Sequence, residues 1–242
     1  MHPIDVPTRE TVDFIQAHVR PDARILEVGC GDGEVALALS QIGFPVTAID
    51  SDAERIAKAQ QIGVHAVVAS WPDFEIAPVD AIVFTRSLHH MDRLTEAIER
   101  ARAVLKPNGL LLVDDFAVES ATEQTLTWFR ELIQSQPFVS GAEPHPDSFV
   151  AKMLSTDTPL KTFRDHHTAH EVHPFDLMHR LIQEDFSARV QRIPYFYRYF
   201  ASVAADNEES ENLVRDFLDR ETEAAEQGQI ALIGRRIIAH RQ

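Results

Sequence analysis

The sequence is short of cysteine, of glycine and of positive charge, and each shortage excludes something. Cys30 is its one cysteine, so no internal disulfide can form, and a reducing, cytoplasmic setting is expected. Lys and Arg number 23 against 38 Asp and Glu, a formal charge of −15, which disfavours a general nucleic-acid or anionic-membrane surface. No apolar run reaches the roughly 18–20 residues that a bilayer span needs. The first twenty residues hold Asp5, Arg9, Glu10, Asp13 and Arg20 and no apolar core, so no signal peptide is expected. What is present is ordinary for a globular chain of 242 residues: 44% hydrophobic and 25% charged, enough to bury a core without disulfides or metals. The nine glycines are unevenly spread, and three of them, Gly29, Gly31 and Gly33, lie within five residues.

The first 115 residues alternate between strand and helix patterns. Thr8 can cap a helix running to about Val19. Arg24–Val28 reads as a buried strand entering the glycine loop, and Glu34 to Ile42 as a helix closed at Gly43. Val46–Ile49 is a second strand, and Ser51-Asp52-Ala53-Glu54 reads as a capping box, with Ser51 as the cap, opening a helix that stops at Gly63. Strands follow at 65–69 and 81–85. A helix with Leu94, Ala97, Ile98, Ala101, Val104 and Leu105 on one face then leads through Pro107-Asn108-Gly109 into the strand 110–113. Five apolar strands separated by amphipathic helices call for a doubly wound, mostly parallel sheet covered on both faces. Ligands of such sheets bind beyond the carboxyl ends of the strands, where the glycine cluster sits.

Beyond Asp115 the pattern loosens. A helix is expected over 119–135, then an irregular lid over 137–174, which holds five of the thirteen prolines, then a helix over 174–184 and a strand over 188–192. Residues 206–226 carry nine acids and two arginines beside Leu213, Phe217 and Leu218, and read as a helix with a solvated acidic face. A last strand, 230–239, is expected at a sheet edge. The organisation read from this is one domain over 1–242: a cofactor-binding half 1–115, an acceptor-side insertion with a sixth strand over 116–205, and a closing helix and strand over 206–242.

Around the glycine loop, Glu27, Asp32 and Glu34 place carboxylates where a pyrophosphate would meet like charge. The third glycine also comes one position too early for G-x-G-x-x-G. A cationic nucleoside without phosphates, S-adenosylmethionine above all, suits the loop better. Asp50, 21 residues after Gly29, ends the second strand where a carboxylate can accept ribose hydroxyls, a feature shared with NAD sites.

At this point four segments resemble the class I S-adenosylmethionine-dependent methyltransferases, specifically the small-molecule, type 11 group. They are Ile25-Leu-Glu-Val-Gly-Cys-Gly-Asp-Gly, Val46-Thr-Ala-Ile-Asp50, Asp80 through His90, and Val104 through Val113, in the family's order and spacing. The resemblance implies the Rossmann-like methyltransferase fold, with seven strands and a lid insertion after strand five. It implies S-adenosylmethionine as cofactor, with Glu27 and the Gly29-Cys30-Gly31-Gly33 backbone holding the methionine part, Asp50 the ribose and Ser51 under the adenine edge. Many relatives carry an Asp for the adenine amino group after strand three; here Ser70 and the backbone N–H of Trp71 take that place. Thr85 and Arg86 are expected to approach the cofactor through their backbone. Asp115-Phe116-Ala117 also resembles a segment of bacterial methyltransferases of unassigned substrate.

Methyl transfer is an in-line displacement, so the protein must align the acceptor, exclude water and, for an OH or NH acceptor, remove a proton. His89 and His90 after strand four, and Asp115 with Asp114 after strand five, are the candidate catalytic groups, with packing as the competing role of each. His166, His167, His170 and His173 form a second cluster, in which acceptor lining and ordinary packing outweigh metal binding. Pro174 and the alternation of 168–173 argue against a helix there, and no metal is expected. Pro194 to Phe200 holds all three tyrosines, as a wall for an apolar acceptor with Arg198 orienting an anion, or as core. The expected partner is a small-molecule acceptor, with no nucleic acid and no membrane, and the protein a monomer or homodimer. Two alternatives stay open: a non-catalytic S-adenosylmethionine-binding regulatory module, and an NAD-dependent oxidoreductase. No Asn/Asp-Pro-Pro-Tyr amide clamp is present.

Overall fold

The structure, a computed structural model, describes residues 4–135, 145 and 148–241. In chain order the first half runs α1 (Asp5–Gln16), β1 (Ile25–Val28), α2 (Glu34–Gln41), β2 (Val46–Asp50), α3 (Ala53–Gln61), β3 (Ala66–Val68), β4 (Val79–Thr85), α4 (Leu94–Val104) and β5 (Leu105–Phe116). Then come α5 (Glu123–Ser135), α6 (Phe149–Ser155), α7 (Pro159–Ala169), α8 (Phe175–Asp185), β6 (Phe186–Ile193), α9 (Phe196–Ala201), α10 (Glu208–Glu226) and β7 (Gly234–Arg241). The seven strands form one sheet in the order β3-β2-β1-β4-β5-β7-β6.

The chain divides into two compact units. The α/β unit comprises Thr8–Phe116, His173–Gln191 and the chain from Arg235. Within it β1 pairs in parallel with β2 on one side and β4 on the other, and β4 with β5. A strand flanked on both sides and covered on both faces has no polar surface to meet, so all four residues of β1 are buried, Glu27 among them. Alternation along the strands sends Ile25, Ala81, Val83, Leu110 and Leu112 to one face, where they pack with Ile15 of α1, Ala36 and Leu39 of α2 and Ile56 of α3. Leu26, Val28, Ile82, Phe84, Leu111 and Val113 point to the other face and are likewise buried. On that side α4 and α8 run against each other, burying Ala97, Ile98, Met178 and Ile182.

Two expectations about the sheet change. Pro107-Asn108-Gly109 is not a turn before a short strand but a bulge inside β5, where the register on β4 slips between Val79 and Ala81. The last strand is not at an edge. The Ala117 N–H donates to the Ile233 carbonyl (2.8 Å), joining the end of β5 to the start of β7, while Arg241 at the other end reaches the Leu105 carbonyl. β7 therefore runs antiparallel to β5, inside the sheet, and β6 is the edge. No helix among the described residues is long and apolar enough to cross a membrane.

The helical unit comprises the first seven residues, Ala117–Val172 and Arg192–Gly234. Its core is aromatic: Phe129 meets Phe196 at 4.8 Å and Phe217 at 5.9 Å between ring centroids, and Phe149 meets Tyr199 at 4.5 Å. Each such pair adds about 0.5–1.5 kcal/mol beyond burial, which a unit of short helices needs. The string 194–200 is thus α9 and largely core, with Tyr195, Phe196, Tyr197, Arg198 and Phe200 buried and the Arg198 guanidinium over the Tyr197 ring. Residues 137–144, 146 and 147 of the expected lid lie outside the described residues. From Ser148 onward the chain is not irregular: Ser148 caps α6 through the Ala151 N–H, and Pro159 opens α7. α7 contains His166 and His167 and ends at Ala169, so the expectation of no helix over 168–173 fails at its first two residues and holds for 170–173.

The acidic helix α10 also departs from a purely solvated face. Glu211 and Glu221 are buried, and Glu221 accepts the backbone N–H groups of Tyr195 (2.6 Å), Phe196 (3.0 Å) and Tyr197 (3.0 Å). It supplies the first turn of α9 with the acceptors that a helix start lacks. Burial pushes its carboxyl up to about 7, against the pull of those three N–H donors and of Arg198. Glu221→Ala is expected to strand these donors and cost about 1–3 kcal/mol in denaturant unfolding. Exposed Glu209→Ala on the same helix should stay within about 0.5 kcal/mol. Equal effects of the two would remove the capping role.

Candidate active site

Glycine at 29, 31 and 33 is dictated by backbone. All three have positive φ (72°, 56° and 91°), the left-handed region costly for other residues. A side-chain carbon on Gly29 would sit 2.4 Å from the Ser87 Cβ at the end of β4, and one on Gly33 2.8 Å from the Ala59 Cβ of α3. The loop thus lies pressed between the end of β4 and α3. The N–H groups of Gly29 and Cys30 donate to the Ile49 carbonyl, and the Ser87 hydroxyl to the Val28 carbonyl. Ser87 is a contributor that sequence reasoning missed; only the close approach reveals it. Cys30 is buried and its thiol is pushed up to about 12 by desolvation and by the charges of Glu27 and Asp50, so it is no nucleophile.

Beneath the loop Glu27 is fully buried. Its Oε1 accepts from the Thr85 hydroxyl at 2.8 Å, while Oε2 is buried with no hydrogen-bond partner. Desolvation lifts its carboxyl to about 7; the Thr85 hydrogen bond, the Arg86 charge and, most weakly, the Ala36 N–H oppose the rise, and Glu34 adds to it. The Thr85 hydroxyl is thereby committed to Glu27. Arg86 has a positive φ of 57°, and its N–H is held by the Asp114 carbonyl at 2.8 Å, so that backbone donor is already committed.

Asp50 stands at the rim. Its Oδ2 accepts the Gly31 N–H and its Oδ1 the Asp52 N–H, both at 2.9 Å, which fixes the carboxylate and leaves a second lone pair on each oxygen. The cap of α3 is Asp52, not Ser51: the Asp52 carboxylate takes the N–H groups of Glu54 and Arg55. Ser51 and Ser70 are exposed beyond the ends of β2 and β3. The Trp71 indole is buried and donates to the Ala97 carbonyl of α4 at 3.0 Å, so its ring belongs to the core. The ring of carboxylates is also smaller than the sequence suggests. Asp32 turns to Arg55 (3.5 Å) and Lys58 (3.4 Å) on α3, and Glu34 is exposed. Glu34 still adds to the negative field at Glu27 and Cys30, beside Asp50.

The candidate acid–base groups separate cleanly. His89 sits in a short 3-10 turn, Leu88–His90, and is buried, with Nδ1 2.6 Å from Asp115 Oδ1. Asp115 is buried too, and the same oxygen accepts the Phe116 N–H. An acceptor there puts the hydrogen on Nδ1 and leaves Nε2 as the basic nitrogen. The His173 N–H donates to the His89 carbonyl at 2.9 Å, and its ring contacts the Met91 carbonyl at 3.1 Å, so His173 braces this turn. His90 is exposed, its ring 4.1 Å from that of His89. Asp114 faces elsewhere, accepting the Thr11 hydroxyl at 2.7 Å with Arg236 at 3.7 Å.

In the helical unit His167 bridges the Phe163 carbonyl (2.8 Å) and the Tyr199 hydroxyl (2.9 Å), and His166 meets His170 edge to face, 4.6 Å between ring centroids. Burial, then the charges of His170 and Lys152, push His166 down to about 4. No group of three or more metal-ligating side chains occurs among the described residues.

This arrangement has relatives. The chain is similar to an uncharacterized methyltransferase, YodH, of Bacillus subtilis (32% identity over 99 residues; 38% of this chain, 42% of that protein). It is similar to the O-methyltransferase resE of Aspergillus sclerotiorum (30% over 155 residues; 58% and 59%). The chain spans about half the length of the curated relatives it matches. Among solved structures it shares the fold of geranyl diphosphate C-methyltransferase from Streptomyces coelicolor A3(2), in complex with Mg2+, geranyl-S-thiolodiphosphate and S-adenosyl-L-homocysteine (TM-score 0.59, 13% identity, 97% of this chain and 76% of that one). The model of the methyltransferase domain matches residues 7–152, more than half of the chain, and with the glycine loop, the Asp50 rim and the strand order in place, this chain belongs to the methyltransferase domain family.

Proposed function

We propose that the chain is an S-adenosylmethionine-dependent methyltransferase acting on a small molecule in the cytoplasm. The observation that carries this reading is the pair of fixed carboxyls, Glu27 beneath the glycine loop and Asp50 at its rim, which a phosphate would meet as like charge. The residues fit the cofactor: Asp50 has lone pairs free for ribose hydroxyls, and Glu27 Oε2 is a buried acceptor without a partner. Ser51, Ser70 and the Trp71 N–H would meet the adenine, and Gly29, Cys30, Gly31 and Gly33 would border the amino-acid part. S-adenosylmethionine supplies a methyl group already activated by its sulfonium.

For an acceptor that must lose a proton, His89 is the base and Asp115 its orienting partner. Asp115 fixes the tautomer and the orientation of the ring. His90 lies beside it in the open, and we assign it no proton transfer. Acceptor recognition is assigned to the segment 116–205.

Calorimetric titration with S-adenosylhomocysteine tests the reading. Asp50→Ala should lose at least about tenfold in affinity, two ribose hydrogen bonds being worth more than the ~1.4 kcal/mol that tenfold represents; undiminished binding overturns the cofactor assignment. Glu27 predicts a pH signature. A carboxyl at about 7 in the folded chain holds its proton where the unfolded chain, at 4.5, does not, so the contribution to stability is complete below pH 4.5 and lost as pH rises through 7. Glu27→Gln should therefore raise stability at pH 8, by on the order of 3 kcal/mol, and change it little at pH 4.5. Homocysteine-ligand affinity should climb between pH 5.5 and 7 in the parent and stay flat in Glu27→Gln. For chemistry, Asp115→Asn should lower transfer of labelled methyl into a small-molecule extract by about 10²–10⁴-fold while S-adenosylhomocysteine affinity holds; unchanged transfer would dismiss the dyad.

A further inference from the structure

The methyl transfer gives no step to the histidines at the end of α7, and packing does not account for one of them. His166 is half-buried, and its Nδ1 is shut off from solvent with no hydrogen-bond partner among the described residues. The adjacent His167 has both ring nitrogens engaged, on the Phe163 carbonyl and the Tyr199 hydroxyl, as a packing histidine should. Four residues on from His166, at the cap of α7, His170 is exposed and brings its ring centroid to 4.6 Å from that of His166. Two imidazoles on one zinc, each with a Zn–N distance of about 2.0–2.1 Å, have ring centres roughly 4.5–5 Å apart, so this pair already has the spacing of adjacent ligands. Histidines at i and i+4 on one helical face are a spacing that such a clamp uses. Phe149 of α6 lies 5.2 Å from the His166 ring and limits where it can turn. Burial, then the charges of His170 and Lys152, keep His166 neutral at neutral pH, the form that ligates, with no proton to displace. The pair also sits at the carboxyl end of an 11-residue helix, where the last carbonyls favour a cation.

We propose that His166 and His170 form a two-histidine site for a divalent transition metal that prefers nitrogen ligands, zinc or copper(II), with water completing the coordination. Among the described residues no group of three or more ligating side chains forms, so the metal is held reversibly and more weakly than at a closed four-ligand centre. It clips the last turn of α7 and stabilises the folded chain by mass action. Lys152 opposes it, since the charge that holds a proton off His166 also holds off a metal cation. The site uses none of the residues assigned to the cofactor or to the His89–Asp115 dyad.

The experiment is zinc titration of the untagged chain by calorimetry at neutral pH, with thermal unfolding followed in parallel. The parent should bind zinc at a site whose affinity falls at least about tenfold in His166→Gln and in His170→Gln, while His65→Gln, on an exposed histidine of the α/β unit, leaves it unchanged. Because His170 is exposed, His170→Gln should unfold without zinc at the parent temperature and lose only the zinc-dependent rise. Lys152→Gln should tighten zinc binding. With copper(II), electron paramagnetic resonance should show coupling to two imidazole nitrogens in the parent and to fewer in His170→Gln. Zinc affinity equal in the parent and both histidine variants overturns the assignment, and so does weaker binding in Lys152→Gln. A parent that binds no zinc overturns it as well; if it takes up inorganic phosphate instead, and Lys152→Gln abolishes that, the cluster is an anion site.

Discussion

A carboxyl group in the middle of the sheet governs this structure. Glu27 stands on an interior strand, flanked by β2 and β4 and buried on both faces, where a charge costs several kcal/mol unless something holds it. The Thr85 hydroxyl and the nearby Arg86 hold it in part, and burial still leaves it at about 7. The surroundings are arranged about that position. Gly29 has no side chain because Ser87 is there, Ser87 ties its hydroxyl back to β1, and Arg86 is pinned by the end of β5. The carboxyl ends of three adjacent strands are thereby locked around one acid, which is where a parallel sheet places its ligand.

The excess of acid in the composition serves several different ends. Glu27 and Asp50 border the glycine loop. Asp115 and Asp114, adjacent on β5, split their work: one orients His89, the other anchors Thr11 with Arg236 nearby. Glu221 caps α9 from a helix that reads as merely solvated, and Asp32 neutralises cations on α3.

Legibility followed the range of the interactions. The strands and helices up to β5 were readable because burial on both faces imposes continuous apolar runs; β1 to β4 recur with small shifts at their ends, while β5 is three times its expected length and takes in the expected turn. Glycines at 29, 31 and 33 and the carboxylate at 50 were readable because positive φ and a strand-end position leave few residue choices. The cap of α3 was misread by one position, since Ser51 and Asp52 both suit it and only the path of the Asp50 side chain separates them. α7 was missed because its histidines and the later Pro174 obscure a face made by Phe163 and His167. Nothing local tells that β7 enters between β5 and β6, as that pairing joins segments more than a hundred residues apart.

The sequence by itself therefore determined the parallel half of the sheet, the glycine loop and the two acids beside it, because strand periodicity and backbone sterics are local. Tertiary structure decided which side chain each charged group meets. It gave Glu27 the Thr85 hydroxyl, and His89 a buried carboxylate. It turned Asp32 away from the loop, took Trp71 into the core, and set Arg86 beside an acid that it does not bond. Those pairings depend on elements far apart in the chain converging at the strand ends, and no spacing within a single segment encodes them.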